Sequence, residues 1–564
     1  MKQRIVLALI LLVAGCTGIW ACTNFIVGKD ASVDGSVMVT YAQDSYSHYG
    51  ILEFTPAMDH EPGAVREVRE GDTWRPLRTI PQVPHTYSVV GYMNEHQLII
   101  GETTWGGRHE LLDTIIDGID YVSLMQIALE RCRTAREAIE CMTALVEEYG
   151  YASDGESFSI ADTQEVWLMD MIGKGPGKKG AVWVATRIPD DCISAHANQA
   201  RTTTLPVKAP KRKTKLGYQT KDGTVMWHRD VITFAREKGY FAGKDEEFNF
   251  TKAYNPYDFS GLYVCEARVW SFFRHFSNDM DRYYDYATGR TFLATKRQDA
   301  GEPMPLYFRP NRKVSAQDLK DCMRDQYEGT PLDITKGPGA GIWNTKLRYG
   351  GLTYTLDSTK YWYARPTATQ QTACSFVAQA RPGREGIFWF GVDDAASSCY
   401  IPMFCGITEI PEAVREGNGS MVDYSSTAAY WIFTKVSQLV YTRYSDMIKH
   451  VNEQQHKYEF GAVKNIREME NDMVKLFKDD PAKAQKRIND ISNRCTQEVC
   501  NAWNHLFEYL LVKYNDGNVK KEKNGKFAKT DTKVPQCEFP EQPRYPDKWY
   551  KIIVDDCGKN IQEK

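Results

Sequence analysis

The spacing of hydrophobic and polar residues divides the chain into a strand-rich part and a helical part. Over residues 23–410, short apolar runs alternate with Gly, Asp and Pro turns, which is typical of a strand-dominated domain with a few helices. Residues 25–28 and 36–40 predict two strands joined by a turn near Asp34. Three later runs, at residues 157–161, 166–169 and 181–185, predict consecutive antiparallel strands.

Helical spacing appears in two other regions of the chain. Between residues 111 and 148, apolar positions recur every three or four residues, so we expect one or two helices that cover the sheet. This group contains Ile115, Leu124, Ile127, Ala128, Ala135, Ile139, Met142 and Leu145. After about residue 414, two apolar stripes predict long amphipathic helices, the second starting near Asp480 and Pro481 because aspartate caps a helix and proline suits its first turn. The stripes are Tyr430, Phe433, Val436, Val440, Tyr444, Met447 and Val451, then Ile488, Ile491, Trp503, Leu506, Leu510 and Tyr514.

These patterns predict four segments. Residues 1–21 are predicted to be an export signal, since Lys2 and Arg4 precede an apolar run and Ala21 is a small residue at the cut. Residues 22–413 form the expected main domain, residues 414–515 the amphipathic helical region, and residues 516–564 a polar linker and C-terminal tail. Residues 13–16 also fit a lipoprotein signal, in which Cys16 would carry a lipid anchor.

The amino-acid composition argues against some classes of binding partner. The net charge of −3 over 564 residues argues against a nucleic acid or an acidic membrane as an electrostatic partner. No second apolar run of membrane-spanning length follows the signal, so we expect a soluble or lipid-tethered mature chain, with membrane contact only through Cys16. The sequence does not decide between a monomer and a homo-oligomer.

Fourteen cysteines in an exported chain permit disulfides, but none lie at the spacing of a zinc site. The candidate pairs are Cys399 with Cys405 and Cys537 with Cys557, whereas Cys495 and Cys500 are interpreted as packing residues. We therefore expect neither a metal nor an organic cofactor.

Cys22 is the residue with the clearest chemical meaning. A cut after Ala21 would leave it with both a thiol and a free α-amine. The pKa of an α-amine, about 8, is close to that of a thiol, about 8.5, so one residue would supply the nucleophile and its base.

Six segments in order along residues 22–410 carry a family resemblance. They are Cys22 to Ser36 (CTNFIVGKDASVDGS), Tyr41 to Ser45 (YAQDS), Asn94 to Thr104 (NEHQLIIGETT), Glu156 to Asp162 (ESFSIAD), Arg187 to Gln199 (RIPDDCISAHANQ) and Ala267 to Trp270 (ARVW). Together they resemble the dipeptidases of peptidase family C69, which are N-terminal nucleophile hydrolases. Cholylglycine hydrolases and penicillin V acylases look like more distant relatives.

The resemblance implies an α+β chain with a four-layer αββα N-terminal nucleophile hydrolase fold, here with an added C-terminal helical region. It implies four catalytic positions, Cys22, Asp44, Asn198 and Arg268. Cys22 would attack an amide carbonyl and form a thioester, and Asp44 would orient the Cys22 ammonium. Asn198 would donate a hydrogen bond to the oxyanion, and Arg268 would lower the thiol pKa or hold a substrate carboxylate.

One position departs from the family pattern. Relatives usually have an arginine three residues before the aspartate, where this chain has Tyr41, which supplies no positive charge at neutral pH. Glu102 and Thr103 align with a strand end at the expected substrate pocket, so we expect them to contact substrate together with Tyr41. Glu102 would bind the free amine of a dipeptide. His196 is interpreted as a packed or hydrogen-bonded residue.

The sequence therefore predicts an exported cysteine-type dipeptidase acting on dipeptides or short peptides in the periplasm or at the cell surface. Two alternatives stay open. One is an acyl-amide hydrolase of the bile-salt or penicillin type, because the same four residues serve both reactions. The other is an inactive binding protein anchored through Cys16, as an outer-membrane lipoprotein.

Overall fold

Two antiparallel sheets form the centre of the structure, a computed structural model that describes residues 22–71, 73–112 and 118–563. Within these ranges one sheet has seven strands and the other has ten. In spatial order, the seven-stranded sheet contains Tyr307–Phe308, Ile193–His196, Asn24–Val27, Val37–Asp44, Thr372–Ala380, Ile387–Val392 and Ile401–Phe404. The ten-stranded sheet contains Lys211–Lys213, Gly217–Thr220, Val225–His228, Ala181–Ile188, Val166–Gly173, Gly155–Ala161, Ile99–Trp105, Met93–Asn94, Val89–Val90 and Phe54–Thr55.

Smaller elements surround the two sheets. Short two-stranded pairs are Met58–Asp59 with His85–Thr86, Val65–Arg69 with Pro76–Pro81, Thr353–Leu356 with Thr359–Trp362, and Glu522–Lys523 with Lys526–Phe527. The α-helices are Tyr121–Arg131, Ala135–Tyr149, Thr233–Glu237, Phe250–Tyr254, Ala267–Arg274, Tyr284–Ala287, Arg290–Ala294, Ala316–Met323, Ala429–Thr442, Tyr444–Asp479, Pro481–Tyr514 and Asp547–Ile561. The chain is therefore α+β, as the sequence predicts.

The predicted hairpin at the start of the main domain is confirmed. Asn24–Val27 pairs antiparallel with Val37–Asp44, with Ile26 opposite Val39. The turn requires a glycine at position 28, because a Cβ there would lie 2.4 Å from the carbonyl oxygen of Asp190. The three predicted strands over residues 157–185 are also confirmed as neighbours in the ten-stranded sheet.

Alternation of side chains along the strands builds two cores. Ile99 packs in the core shared with the seven-stranded sheet, whereas Ile100 packs in the core beneath helices Tyr121–Arg131 and Ala135–Tyr149. These two helices confirm the predicted helical region, apart from Ile115, which lies outside the described residues. The ten-stranded sheet therefore has the other sheet on one face and helices on the opposite face.

The C-terminal helices pack against the seven-stranded sheet. Pro481–Tyr514 contacts the strand Ile401–Phe404, and the fully buried Trp503 donates its indole N–H to the carbonyl oxygen of Ser397 at 2.9 Å. Asp480 caps this helix by accepting a hydrogen bond from the Lys483 backbone amide, as predicted. The helical region is thus continuous with the core that includes Cys22.

Two features of the helical part differ from the sequence prediction. The first apolar stripe is split at Arg443, which leaves the helical conformation and separates Ala429–Thr442 from Tyr444–Asp479. The C-terminal tail contains the helix Asp547–Ile561. The sequence did not predict this helix, because a proline-rich segment precedes it. Among the described residues, no helix combines the length and the apolar character needed to cross a membrane.

The predicted disulfides are wrong. Cys399, Cys405, Cys537 and Cys557 are all free thiols. Cys399 and Cys405 lie at opposite ends of the extended strand Ile401–Phe404, which alone spans about 10 Å, beyond the reach of a disulfide. Cys405 instead donates to Glu385 Oε2 at 3.3 Å.

Glu459 ties the long helix Tyr444–Asp479 to the sheet. Its fully buried carboxylate forms an ion pair with Arg324 and accepts from the Tyr400 backbone amide at 2.9 Å. Glu459→Ala is expected to lower the free energy of unfolding by about 3–5 kcal/mol, because the fully buried Lys320 and the largely buried Arg324 would lose the carboxylate that offsets their charges. Urea unfolding monitored by circular dichroism measures this change.

The matched control is Glu453→Ala on the same helix, where the side chain is 72% exposed. That substitution should change the unfolding free energy by no more than about 0.5 kcal/mol. Equal effects of the two substitutions would show that the buried ion pair does not hold the helix.

Candidate active site

Cys22 lies at the edge of the first strand, in a buried position. Its neighbour Thr23 bridges to Ala42, which places the Cys22 thiol beside the strand Val37–Asp44. The Cys22 Sγ–H donates to Tyr41 Oη at 3.4 Å, and the Tyr41 hydroxyl donates to Glu102 Oε1 at 2.6 Å. Thiol, phenol and carboxyl thus form one hydrogen-bonded chain.

The surroundings keep the thiol protonated. Burial raises the pKa of the Cys22 thiol well above its ordinary value, and the carboxylates of Glu102 and Asp44 raise it further. The hydrogen bonds with Tyr41 and with the Asp44 backbone amide act to lower the pKa, but they do not offset the burial. A thiol in such surroundings can act as a nucleophile only when a base removes its proton.

Arg268 connects Cys22 to Asn198. The fully buried guanidinium donates through Nη1 to the Cys22 carbonyl oxygen at 2.7 Å and to Thr23 Oγ1 at 2.7 Å. Through Nη2 it donates to Asn198 Oδ1 at 2.8 Å. The side chain reaches this position from the first turn of Ala267–Arg274, directly after the π-helical turn Gly261–Glu266, a distortion often found at functional sites.

Asn198 is fixed in orientation by its partners. Its amide nitrogen donates to the Thr104 carbonyl oxygen at 2.6 Å, while its amide oxygen accepts from Arg268. The residue has φ of 62°, in the left-handed region that asparagine tolerates better than most residues. Asparagine therefore suits the turn after Ile193–His196 and, unlike glycine, supplies a side-chain amide there.

Asp44 is the last residue of its strand and is fully buried. The sequence predicted this residue as part of the site but not its bonding partners. Its Oδ2 pairs with Arg365 Nη2 at 2.6 Å, and its Oδ1 accepts from Thr372 Oγ1 at 2.7 Å. Burial raises the pKa of Asp44 to about 6, although Arg365 and Thr372 act to lower it. Arg365 was missed because it lies 321 residues away in sequence, in an irregular segment without a motif.

Glu156 is a second residue that the sequence analysis did not select. It lies on Gly155–Ala161, opposite Thr104, and close to Glu102 in the buried interior. Burial raises the pKa of Glu156 well above its ordinary value, and the neighbouring Glu102 raises it further. The neutral form of Glu156 is therefore favoured, so the interior beside Cys22 carries less negative charge than its composition suggests.

Thr103 bonds to His196 and not to the Tyr41 hydroxyl that binds its neighbour Glu102. Thr103 Oγ1 is 2.7 Å from His196 Nδ1, and Ser159 Oγ is 2.7 Å from His196 Nε2. Burial lowers the pKa of His196 to about 3, so the imidazole is neutral at physiological pH. The interpretation of His196 as a hydrogen-bonded structural residue is confirmed.

The structure thus brings six of the seven predicted site residues into one connected group, namely Cys22, Tyr41, Asp44, Glu102, Asn198 and Arg268. Thr103 joins the His196 cluster instead. Among residues 22–71, 73–112 and 118–563, no three His, Cys, Asp or Glu side chains are grouped so as to hold a metal ion.

Comparison with known proteins gives the class of this chain. The profile of peptidase family C69 matches residues 21–59 and 72–457, which is most of the chain. The chain therefore belongs to peptidase family C69, and the match extends beyond residue 413 into the helical region.

The individual relatives have low sequence identity to this chain, but each alignment covers most of both sequences. A probable dipeptidase from Latilactobacillus sakei is 22% identical over 75% of this chain and 82% of its own. A dipeptidase from Bifidobacterium longum is 24% identical over 73% and 75%. A probable dipeptidase B from Streptococcus pyogenes is 21% identical over 84% and 89%.

The Arg268 bridge leads to a stability prediction. Arg268→Met would leave the buried oxygens of Cys22 and Asn198 without their donor, at a cost of about 1–3 kcal/mol for each group. We expect the free energy of unfolding to fall by at least about 2 kcal/mol, measured by urea denaturation.

Arg274→Met on the same helix is the matched control. Arg274 forms a partly exposed ion pair with Asp281 at 3.1 Å, which contributes at most about 1 kcal/mol. A loss no larger for Arg268→Met than for this control would contradict the bridging role.

Proposed function

We propose that this chain is an exported cysteine-type dipeptidase that hydrolyses short peptides through a thioester on Cys22. The observation that carries the proposal is the single guanidinium, Arg268, which contacts both Cys22 and Asn198. This contact joins the candidate nucleophile to the candidate oxyanion donor in a fixed geometry. Membership of family C69 and the printed names of the relatives support the dipeptidase activity.

The proposed fold is the four-layer αββα arrangement of N-terminal nucleophile hydrolases. Two features support it: the two antiparallel sheets pack on each other, and Cys22 lies two residues before Asn24–Val27, an inner strand of one of them. Helices Tyr121–Arg131 and Ala135–Tyr149 cover the ten-stranded sheet, and Ala316–Met323 contacts the seven-stranded sheet from the other side.

In the proposed reaction, Cys22 Sγ attacks the carbonyl carbon of the peptide bond. The Cys22 α-amine takes the thiol proton as the C–S bond forms, and it returns a proton to the departing amine as the C–N bond breaks. Water then hydrolyses the thioester. Such a base is needed because the buried thiol is protonated at rest.

The other site residues have supporting roles. Asp44 is proposed to accept a hydrogen bond from the Cys22 ammonium and to fix its direction. Asn198 is proposed to donate to the oxyanion, a contact whose loss typically costs about 3 kcal/mol of transition-state stabilisation.

The substrate pocket is proposed to lie beside Tyr41 and Glu102. Glu102 would bind the free amine of the peptide, and Tyr41 would direct the Glu102 carboxylate through their 2.6 Å hydrogen bond. Thr103 stays a predicted substrate contact, although its hydroxyl bonds to His196.

Export and processing are part of the proposal. Removal of residues 1–21 by signal peptidase or by self-processing would free the Cys22 amine in the periplasm or at the cell surface. A lipid on Cys16 would attach the chain to a membrane and, without a second cut, would leave that amine in a peptide bond.

Mass spectrometry of the mature protein tests the processing directly. The expected result is a chain that begins at an unmodified Cys22 and hydrolyses dipeptides. A fully active preparation that begins at a lipidated Cys16 and stays uncut would contradict the proposal. Turnover of bile-salt or penicillin-type amides in place of dipeptides would favour the acyl-amide hydrolase alternative.

The role of the thiol is tested by Cys22→Ser. We expect kcat for dipeptides to fall by at least about a thousandfold, because a serine hydroxyl is far less acidic and less nucleophilic than a thiol. Cooperative unfolding should be retained. Cys500→Ser, a buried thiol on the helix Pro481–Tyr514, is the matched control and should keep wild-type kcat. Unchanged turnover in Cys22→Ser would reject Cys22 as the nucleophile.

A further inference from the structure

A buried ion pair lies behind the candidate nucleophile. Asp44 Oδ2 and Arg365 Nη2 are 2.6 Å apart, and both side chains are fully buried. The Arg365 backbone is held in turn by Tyr327, whose hydroxyl donates to the Arg365 carbonyl oxygen at 2.6 Å. Arg365 is thus anchored on one side while its guanidinium points to Asp44.

Other ionisable groups surround this pair. Asp44 faces Arg365, Arg268, Cys22, Tyr46 and Cys374. Arg365 faces Asp44, Arg268, Cys265, Cys22, Tyr46 and Tyr327. Asp44 is therefore the carboxylate that offsets the positive charge of Arg365, and two guanidinium groups lie within electrostatic range of the Cys22 thiol.

We propose that Arg365 is a positioning residue for the reaction, which keeps the Asp44 carboxylate ionised and directed toward Cys22. It supplies from a distant loop the positive charge that Tyr41 does not supply from the strand. This inference rests on the proposed function, because Asp44 matters to turnover only if the Cys22 amine is the base.

The electrostatics agree with this role. Burial raises the pKa of Asp44 to about 6, and Arg365 is the strongest of the groups that lower it. Burial, followed by repulsion from Arg268, lowers the pKa of Arg365 to about 10, so the guanidinium stays charged at neutral pH. Without Arg365 the pKa of Asp44 would rise above 6, and a smaller fraction of Asp44 would be ionised at pH 7.

The test is the pH profile of kcat/KM on a dipeptide. For Arg365→Met the acidic limb should move upward by at least about one pH unit, with at least about a twofold loss at pH 7. Arg365→Lys, which keeps a cation, should bring the limb back to within about half a unit of the wild type. An unshifted limb in folded Arg365→Met would overturn the proposal.

Arg381→Met is the matched control for loss of a buried ion pair. Arg381 is buried and pairs with Glu470 at 2.8 Å, on a different part of the same sheet. Its substitution should leave the acidic limb in place. An equal shift in this variant would show that the effect in Arg365→Met comes from general destabilisation.

A second measurement does not depend on turnover. The native pKa of Asp44 is above its unfolded value, so ionised Asp44 makes the wild type lose stability relative to Asp44→Asn as pH rises from about 4 to about 6. In the Arg365→Met background this loss should continue above pH 7. If the wild type hydrolyses no dipeptide, the proposed function fails, while this comparison still decides the role of Arg365.

Measuring stability at two pH values also decides the case in which Arg365→Met does not fold. If Arg365→Met is unfolded at pH 8, it should fold at pH 5, where Asp44 is protonated, and Asp44→Asn/Arg365→Met should fold at both values because neither buried charge remains. Failure of Arg365→Met at both pH values, with the double variant folded, would overturn the proposal.

Discussion

The site depends on one interaction, the hydrogen bonds of the Arg268 guanidinium to the Cys22 carbonyl and to Asn198. A guanidinium is planar and rigid, so groups bound to its two ends are held at a fixed separation. Cys22 comes from the beginning of the domain, Asn198 from a turn after a strand, and Arg268 from a helix that follows a π-helical turn. Three elements that are distant in sequence are thereby aligned at one point of the sheet.

Burial of several charges around this point is the second constraint. Cys22, Asp44, Glu102, Glu156, Arg268 and Arg365 are almost fully enclosed. Arg365 pairs with Asp44, and burial together with the neighbouring Glu102 favours the neutral form of Glu156. The low dielectric strengthens every one of these interactions, which is the electrostatic setting that a buried nucleophile requires. It also makes the site sensitive to the loss of any single partner.

Local pattern was sufficient to predict much of the fold. The hairpin that begins near Cys22, the three strands over residues 155–188, the two helices over residues 121–149 and the cap at Asp480 all follow from period and turn chemistry. The break at Arg443 was not predictable, because the apolar stripe continues across it and tertiary packing decides where the helix ends. The disulfide prediction failed because cysteine count carries no information about separation in space.

The candidate site, like the fold, was predictable from sequence only in part. Residues in contiguous motifs were found from sequence, whereas Arg365 and Glu156 become visible only once the chain is folded. Arg365 reaches Asp44 from a loop without sequence signature, and Glu156 was one polar residue in a strand. The sequence shows that Tyr41 stands where relatives usually have an arginine, but it gives no indication that Arg365 lies beside Asp44.

The central claim is that Cys22 forms a covalent bond to the acyl part of a peptide while its own amine is free. Acid-quench mass spectrometry of the mature protein, mixed briefly with a slowly hydrolysed dipeptide ester, tests it most directly. The account predicts one acyl group, attached through sulfur, on a peptide that begins at Cys22 with an unmodified α-amine. An acyl group on any other residue, or on a Cys22 whose nitrogen is blocked, would contradict it.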